Sequence, residues 1–182
     1  GGSAGRAGAP VLCSMGALRG GAGLVDLAAP APAAAIAATF DPCVMTHALP
    51  ASDDGAFADA ALEGVLDLAA RADVLAMGPG MARRAGAGAI VARLWESFPG
   101  PAVFDADALW WLARFDPATI AAHAGPRVIT PHEGEMLRFL GDGSSAGARP
   151  DRKALESAAM RFAAESGAVV LLKGPDTLST DG

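Results

Sequence analysis

Short apolar runs alternate along the chain with longer stretches in which apolar residues recur every three or four positions. The short runs are typical of β-strands, and the longer periodic stretches are typical of amphipathic helices. The predicted strands are Leu24–Ala28, Cys43–His47, Asp73–Met77, Ala102–Phe104, Arg127–Ile129 and Ala168–Leu172. The predicted helices are Ala9–Arg19, Pro32–Phe40, one ending near Arg71, one ending near Phe98, one that follows Asp105-Ala106-Asp107 and runs through Trp110 and Trp111, one ending near Leu140, and Asp151–Ser166. Strands separated by helices predict an α/β fold with a mainly parallel sheet.

Polar residues and loops mark several of the predicted element ends. Asp53 or Asp54 is expected to cap the helix that ends near Arg71, and Asp151 is expected to cap the last helix. Residues 141–150 are predicted to form a loop. The run Ala168–Leu172 is continuously apolar, which indicates a strand covered on both faces.

Composition places the chain among folded proteins of one domain. It has 182 residues, of which 52% are hydrophobic and 19% charged, so residues 1–182 are expected to form a single domain with a substantial core. The formal net charge is −6 and no basic block is present, which argues against nucleic-acid binding. Small phosphorylated ligands are still compatible, because they need only local positive groups.

Cysteine spacing and apolar segments exclude further classes. Cys13 and Cys43 stand far apart without a CxxC pattern, which argues against a disulfide scaffold or a zinc site. The apolar stretch Leu27–Phe40 is too short to cross a bilayer. The glycine-rich N-terminus lacks a secretory pattern, so we expect a cytoplasmic protein with no membrane association. The sequence Asp181-Gly182 after a β-rich run favours a hairpin turn, so we expect a fragment of a longer domain, with the strand that pairs with Leu178–Thr180 missing.

Four predicted strand ends carry residues that suit ligand binding. They are Gly78-Pro79-Gly80, Asp105-Ala106-Asp107, Thr130-Pro131-His132-Glu133-Gly134-Glu135 and Lys173-Gly174-Pro175-Asp176-Thr177. In open α/β sheets, ligands bind beyond the carboxyl ends of the strands. Each block also has a purely structural interpretation: a tight turn for the glycines, helix capping for the aspartates, a surface histidine, and a lysine that extends from a strand edge.

Together these blocks resemble the ADP/ATP-dependent NAD(P)H-hydrate dehydratases, which have a ribokinase-like fold. The resemblance extends to Gly1-Gly2-Ser3 through Gly8-Ala9 and to Ala17 through Val25. It implies a three-layer α/β/α architecture with a mainly parallel central sheet. It also implies an enzyme that repairs hydrated NAD(P)H, by transferring phosphate from ADP or ATP to the hydrate and then eliminating it.

The resemblance assigns roles to individual residues. Ala9, Gly80 and His132 would contact the hydrated dinucleotide. Glu135 falls where related kinases place a glutamate that serves the Mg²⁺ shell. The adenine nucleotide would be bound by Lys173, Gly174, Pro175, Asp176 and Thr177.

The chain also departs from the family pattern, and two other functions stay open. The family begins with a strand before Gly-Gly-Ser and continues to a Gly-Thr-Gly-Asp motif, whose catalytic aspartate would lie beyond Gly182. The alternatives are a ribokinase-like kinase of a vitamin precursor and a non-catalytic nucleotide-binding domain. The family further implies a homo-oligomer, and its bacterial members often carry an NAD(P)H-hydrate epimerase domain on the same chain.

Overall fold

The computed structural model describes residues 1–139 and 151–182. The strands there are β1 (Val25–Pro30), β2 (Val44–Leu49), β3 (Leu75–Met77), β4 (Ala102–Phe104), β5 (Arg127–Ile129), β6 (Val169–Leu172) and β7 (Leu178–Thr180). The helices are α1 (Gly8–Arg19), α2 (Ala31–Ala37), α3 (Ala61–Ala69), α4 (Ala85–Ser97), α5 (Asp107–Leu112), α6 (Pro117–Ala121), α7 (Glu133–Phe139) and α8 (Arg152–Ser166).

The strands form two sheets rather than one. The larger sheet has the order β3-β4-β5-β6-β7, in which only the β6–β7 pair is antiparallel, and β1 and β2 form a separate parallel pair. The predicted α/β fold with mainly parallel strands is therefore confirmed. The glycine-rich first residues contact the loops that follow β3 and β2, since the Gly2 amide donates to the Pro79 carbonyl at 2.9 Å and the Ala4 amide donates to the Gly55 carbonyl at 2.9 Å.

The main core lies between one face of the larger sheet and helices α3, α4, α5, α7 and α8. Its largest fully buried side chains include Trp95, Phe104, Ile129 and Leu172. The opposite face of the sheet is less covered by the described residues: Val170 and Leu172 are buried, whereas Val169 and Leu171 are half-buried. The prediction that this strand is covered on both faces is therefore wrong for the described part of the chain.

Other predicted elements differ at their ends. Helix α3 begins at Ala61 with Ala60 as its N-cap residue, so the predicted capping by Asp53 or Asp54 is wrong. The intervening segment instead forms a turn that is closed by a bridge between Ala51 and Phe57. Helix α6 was not predicted, because its five residues show no clear apolar periodicity.

The C-terminal half contains one confirmed cap and one corrected strand. Asp151 caps helix α8 by accepting a hydrogen bond from the Ala154 amide at 2.9 Å, as predicted. The segment Leu178–Thr180 pairs with β6 and, as β7, is the last strand in the order of the larger sheet; the further strand expected to pair with it stays a prediction. The predicted loop 141–150 lies outside the described residues. Within residues 1–139 and 151–182, none of the helices has the length and apolar content needed to span a bilayer.

Candidate functional site

The four blocks singled out in the sequence lie along one edge of the larger sheet. Strands β3, β4, β5 and β6 are parallel neighbours, so their carboxyl ends point the same way. Beyond the strands the chains stay paired: the Asp105 amide donates to the Met77 carbonyl at 3.0 Å, the Thr130 amide to the Phe104 carbonyl at 3.2 Å, and the Lys173 amide to the Pro131 carbonyl at 2.8 Å. The predicted gathering of these blocks at one edge is confirmed.

Two glycines allow the chain to turn tightly after β3. Gly78 has φ +120°, and a Cβ there would lie 1.7 Å from the Asp105 carbonyl oxygen. Gly80 has φ +68°, and its Cβ would meet the Arg6 carbonyl oxygen at 3.0 Å and the Ala9 Cβ at 3.3 Å. The glycines thus serve the turn and also let the Arg6–Ala9 segment approach β3.

Lys173 and Asp105 form an ion pair across the edge. The Lys173 Nζ lies 2.9 Å from Asp105 Oδ1 and 3.1 Å from Oδ2, and both side chains remain partly exposed. Asp105 does not cap helix α5, whose N-cap residue is Ala106 and which has no side-chain cap. The ion pair joins the aspartate block after β4 to the predicted nucleotide-binding block after β6.

Asp107 contacts two arginine-bearing segments near the end of β3. Its Oδ2 accepts a hydrogen bond from the Ala82 amide at 3.0 Å and lies 3.7 Å from Arg6 Nη1, while its Oδ1 accepts from Arg83 Nε at 3.2 Å. Ala82, at φ 64°, and Ala106, at φ 52°, adopt a backbone conformation that is costly for alanine. Asp107 therefore stabilises a strained turn.

An open cleft of about 780 Å³ lies beside Asp107. Ala9 and Gly80, two of the residues predicted to contact the dinucleotide, line it together. A second cavity of about 370 Å³ shares Ala9 with the first and extends to Asp105 and Thr130. His132 is not among the residues that line either cavity. Arg6, Arg83 and Arg84 also line the larger cleft; sequence reasoning missed them, although two directly follow the Gly78-Pro79-Gly80-Met81-Ala82 segment.

His132 and Glu135 form a reciprocal cap at the start of helix α7. The His132 amide donates to Glu135 Oε2 at 2.9 Å, and the Glu135 amide donates to His132 Nδ1 at 3.2 Å. Glu135 is largely buried, whereas the His132 ring is more than half exposed. This is the capping-box arrangement, with histidine in place of serine or threonine. It fixes the imidazole at the sheet edge.

The predicted nucleotide-binding residues form the exposed turn between β6 and β7. Arg152, which no sequence motif singles out, supports this turn from helix α8. Its Nη2 donates to the Asp176 carbonyl at 2.6 Å, and its Nη1 donates to the Lys173 carbonyl at 3.3 Å. A Cβ on Gly174 would lie 2.6 Å from Arg152 Nη1, so the glycine makes room for this support.

The described residues do not form a magnesium site by themselves. Residues 1–139 and 151–182 contain no group of three or more His, Cys, Asp or Glu side chains that could hold a metal. Glu135 Oε2 accepts a hydrogen bond from the His132 amide, and the Asp105 carboxylate forms an ion pair with Lys173. The metal role of Glu135 stays a prediction.

The chain is similar in sequence to known NAD(P)H-hydrate repair enzymes and dehydratases. The chain is 43% identical over 178 residues to a bifunctional NAD(P)H-hydrate repair enzyme Nnr of Moorella thermoacetica, covering 98% of this chain and 33% of that protein. It is 35% identical over 182 residues to an ADP-dependent (S)-NAD(P)H-hydrate dehydratase of Xanthomonas campestris, covering 97% of this chain and 57% of that protein. The chain thus spans one third to somewhat more than half of these relatives.

Solved structures show the same fold. A ribokinase-like superfamily protein of Enterococcus faecalis superposes with a TM-score of 0.75 at 20% identity, covering 99% of this chain and 57% of that one. The ADP/ATP-dependent NAD(P)H-hydrate dehydratase of Bacillus subtilis, co-crystallised with ATP and Mg²⁺, superposes with a TM-score of 0.71 at 24% identity, covering 98% of this chain and 57% of that one. These likenesses establish the ribokinase-like fold. The family model described as NAD(P)H-hydrate dehydratase matches residues 1–180, and the chain accordingly belongs to that family.

Proposed function

We propose that the protein containing this chain dehydrates (S)-NAD(P)H hydrate to NAD(P)H with ADP or ATP as co-substrate. The observation that carries the proposal is the family match over residues 1–180. The gathering of the Gly80, His132 and Lys173 blocks at one sheet edge supports it, because a phosphoryl transfer needs donor and acceptor sites side by side.

In this proposal each of the two substrates has its own set of residues along the edge. Ala9 and Gly80 contact the hydrated dinucleotide in the cleft, and the exposed His132 imidazole contacts it from the end of β5. Lys173, Gly174, Pro175, Asp176 and Thr177 bind the adenine nucleotide at the β6–β7 turn. The Lys173 ammonium, partly neutralised by Asp105, is available to a phosphate that outcompetes this carboxylate.

The chemistry follows from the poor leaving group. Hydroxide leaves badly, since it is the conjugate base of water, a very weak acid. In the first step the hydrate's hydroxyl oxygen attacks the terminal phosphorus of ADP or ATP, loses its proton, and releases AMP or ADP. In the second step the ring nitrogen's electron pair restores the double bond as the carbon–oxygen bond breaks, and phosphate and a proton leave.

Magnesium is proposed to arrive with the nucleotide rather than to occupy a preformed protein site. Mg²⁺ is commonly held by substrate phosphates with one or two carboxylates. The carboxylates of Glu135 and Asp105 already pair with the His132 amide and with Lys173, so no step is derived through the ion. It would supply charge neutralisation on the phosphates.

We further propose the setting in which the enzyme works. The whole protein is expected to act in the cytoplasm as a homo-oligomer, and an NAD(P)H-hydrate epimerase domain on the same chain would supply the S epimer. The description of the Moorella relative as bifunctional supports such a linkage.

The test is nucleotide-dependent recovery of NADH absorbance. The whole protein that contains this chain is incubated with hydrated NADH, Mg²⁺ and ADP or ATP, and released phosphate is measured in parallel. The proposal expects NADH and phosphate in equal amounts. Accumulation of a phosphorylated small molecule without NADH would instead indicate a vitamin-precursor kinase, and nucleotide binding without turnover would indicate a non-catalytic domain.

A further inference from the structure

Arginine side chains surround the cleft of a chain that is acidic overall. The formal net charge is −6, yet Arg6, Arg83 and Arg84 all line the cleft beside Ala9 and Gly80. Among the described residues that line it, Asp107 is the one carboxylate. We propose that Arg6 and Arg83 bind a phosphate group of the hydrated dinucleotide; this inference rests on the proposed function.

Asp107 positions the two guanidinium groups without using up their donors. Arg83 engages Asp107 through Nε, and within residues 1–139 and 151–182 its two terminal nitrogens have no hydrogen-bond partner. Arg6 Nη1 lies 3.7 Å from the same carboxylate, and its side chain is 58% exposed. The planar arginine fork matches the geometry of phosphate oxygens, so two such forks beside one shared carboxylate suit an anion.

Arg83 also lies over an aromatic ring. Its guanidinium lies 5.4 Å from the centroid of the Trp110 ring. A cation over an aromatic face is attracted to the ring and loses some freedom. Arg84 differs, because its Nε pairs with Asp54, so the inference concerns Arg6 and Arg83.

Position favours the dinucleotide over the adenine nucleotide as the source of this phosphate. Gly80 follows β3 and Lys173 follows β6, which are three strand spacings apart, about 14 Å. The cleft is lined by Ala9 and Gly80 and by none of residues 173–177. A phosphate held by Arg6 and Arg83 therefore belongs to the ligand on the Gly80 side.

The experiment measures dissociation constants for NADPH, NADH and ADP by calorimetry at low and moderate salt. The variants are Arg6→Gln, Arg83→Gln and the double variant. The control is Arg93→Gln, which changes an exposed arginine of helix α4 that does not line the cleft. We expect the double variant to bind NADPH at least tenfold more weakly, with a smaller salt dependence, and to bind ADP within twofold of the wild type. Arg93→Gln should match the wild type throughout.

Comparing NADH with NADPH identifies which phosphate the arginines bind. A separate assay distinguishes failure of the arginine site from failure of the proposed dehydratase function. An equal loss for NADH and NADPH indicates the pyrophosphate, and a loss for NADPH alone indicates the 2′-phosphate; either supports the inference. Unchanged NADPH binding, or an ADP loss as large as the NADPH loss, overturns it. The proposed function fails separately, if the wild type regenerates no NADH from its hydrate.

Discussion

Single residues at the sheet edge decide whether the loops can approach one another. Gly78 shows this most clearly. Its own φ is +120°, and an added Cβ there would lie 1.7 Å from the Asp105 carbonyl oxygen. Asp105 in turn carries the ion pair with Lys173. A change at Gly78 should therefore disturb both stability and the site.

We expect Gly78→Ala to lower the free energy of unfolding by about 3 kcal/mol or more, through the clash and the strained backbone. Urea denaturation followed by tryptophan fluorescence measures the change. The matched control is Gly16→Ala in the exposed face of helix α1, where a Cβ meets nothing within 4 Å. There alanine should raise stability by about 0.5–1 kcal/mol. Equal effects at the two glycines would contradict the close approach.

Some residues that the sequence predicts to contact a ligand also stabilise the fold. His132 was selected as a ligand contact, and the structure shows that its Nδ1 and backbone amide also cap helix α7. Arg152 and Arg83 gave no signal in the sequence, because an arginine at a helix start or after a turn is ordinary. Their positions depend on contacts between segments far apart in the chain.

At the scale of elements, one buried arginine joins helix α4 to strand β5. The guanidinium of Arg127 is almost fully buried and donates to the carbonyl oxygens of Trp95, Phe98 and Gly100. These are carbonyl groups at and beyond the C-terminal end of α4, where helices leave acceptors unsatisfied. Burial lowers the pKa of the Arg127 guanidinium, which nevertheless stays protonated at neutral pH.

We expect Arg127→Met to destabilise the fold by about 3 kcal/mol or more, because several buried carbonyl groups lose their donor together. Arg127→Lys should recover only part of this loss, since an ammonium group cannot reach all the carbonyls at once. Thermal unfolding measures both variants. Arg93→Met, on the exposed side of α4, is the control and should change stability by less than about 0.5 kcal/mol. A similar small effect at Arg127 would show that the guanidinium contributes little.

The local hydrophobic pattern of the sequence predicted most helices and strands, but not how the strands pair. The strands Ala102–Phe104 and Arg127–Ile129 have the predicted bounds, because short apolar runs between polar residues give a clear signal. The separate β1–β2 sheet and the antiparallel β7 did not emerge, since strand partners depend on contacts distant in sequence. Helix α6 was missed because five residues are too few to show a period, and its cap, Asp116, became evident only from its bond to the Thr119 amide.

At the scale of the whole molecule, the two proposed ligand sites lie along one edge of the larger sheet. The Gly80 side offers an open cleft with arginines, and the Lys173 side offers an exposed turn supported by Arg152. The candidate blocks could be chosen from sequence because parallel strands bring their carboxyl ends together whatever their order. The cleft itself could not be predicted, because it depends on Asp107 joining the turn after β3 to the glycine-rich loop.

The two proposed sites should bind different ligands, and a crossed pair of variants tests this separation. His132→Asn removes the imidazole and keeps a side chain that can cap a helix, and Lys173→Gln removes the ammonium. Lys153→Gln, at an exposed position of helix α8, controls for loss of a lysine charge. Dissociation constants for NADPH and ADP are measured on all three.

We expect His132→Asn to weaken NADPH binding about tenfold and to leave ADP binding within twofold. Lys173→Gln should do the reverse, and Lys153→Gln should change neither. Tenfold corresponds to about 1.4 kcal/mol, the size of one charge-assisted hydrogen bond. Equal weakening of both ligands by both variants, or competition between NADPH and ADP, would show that the edge holds a single binding site and that the proposed separation is wrong.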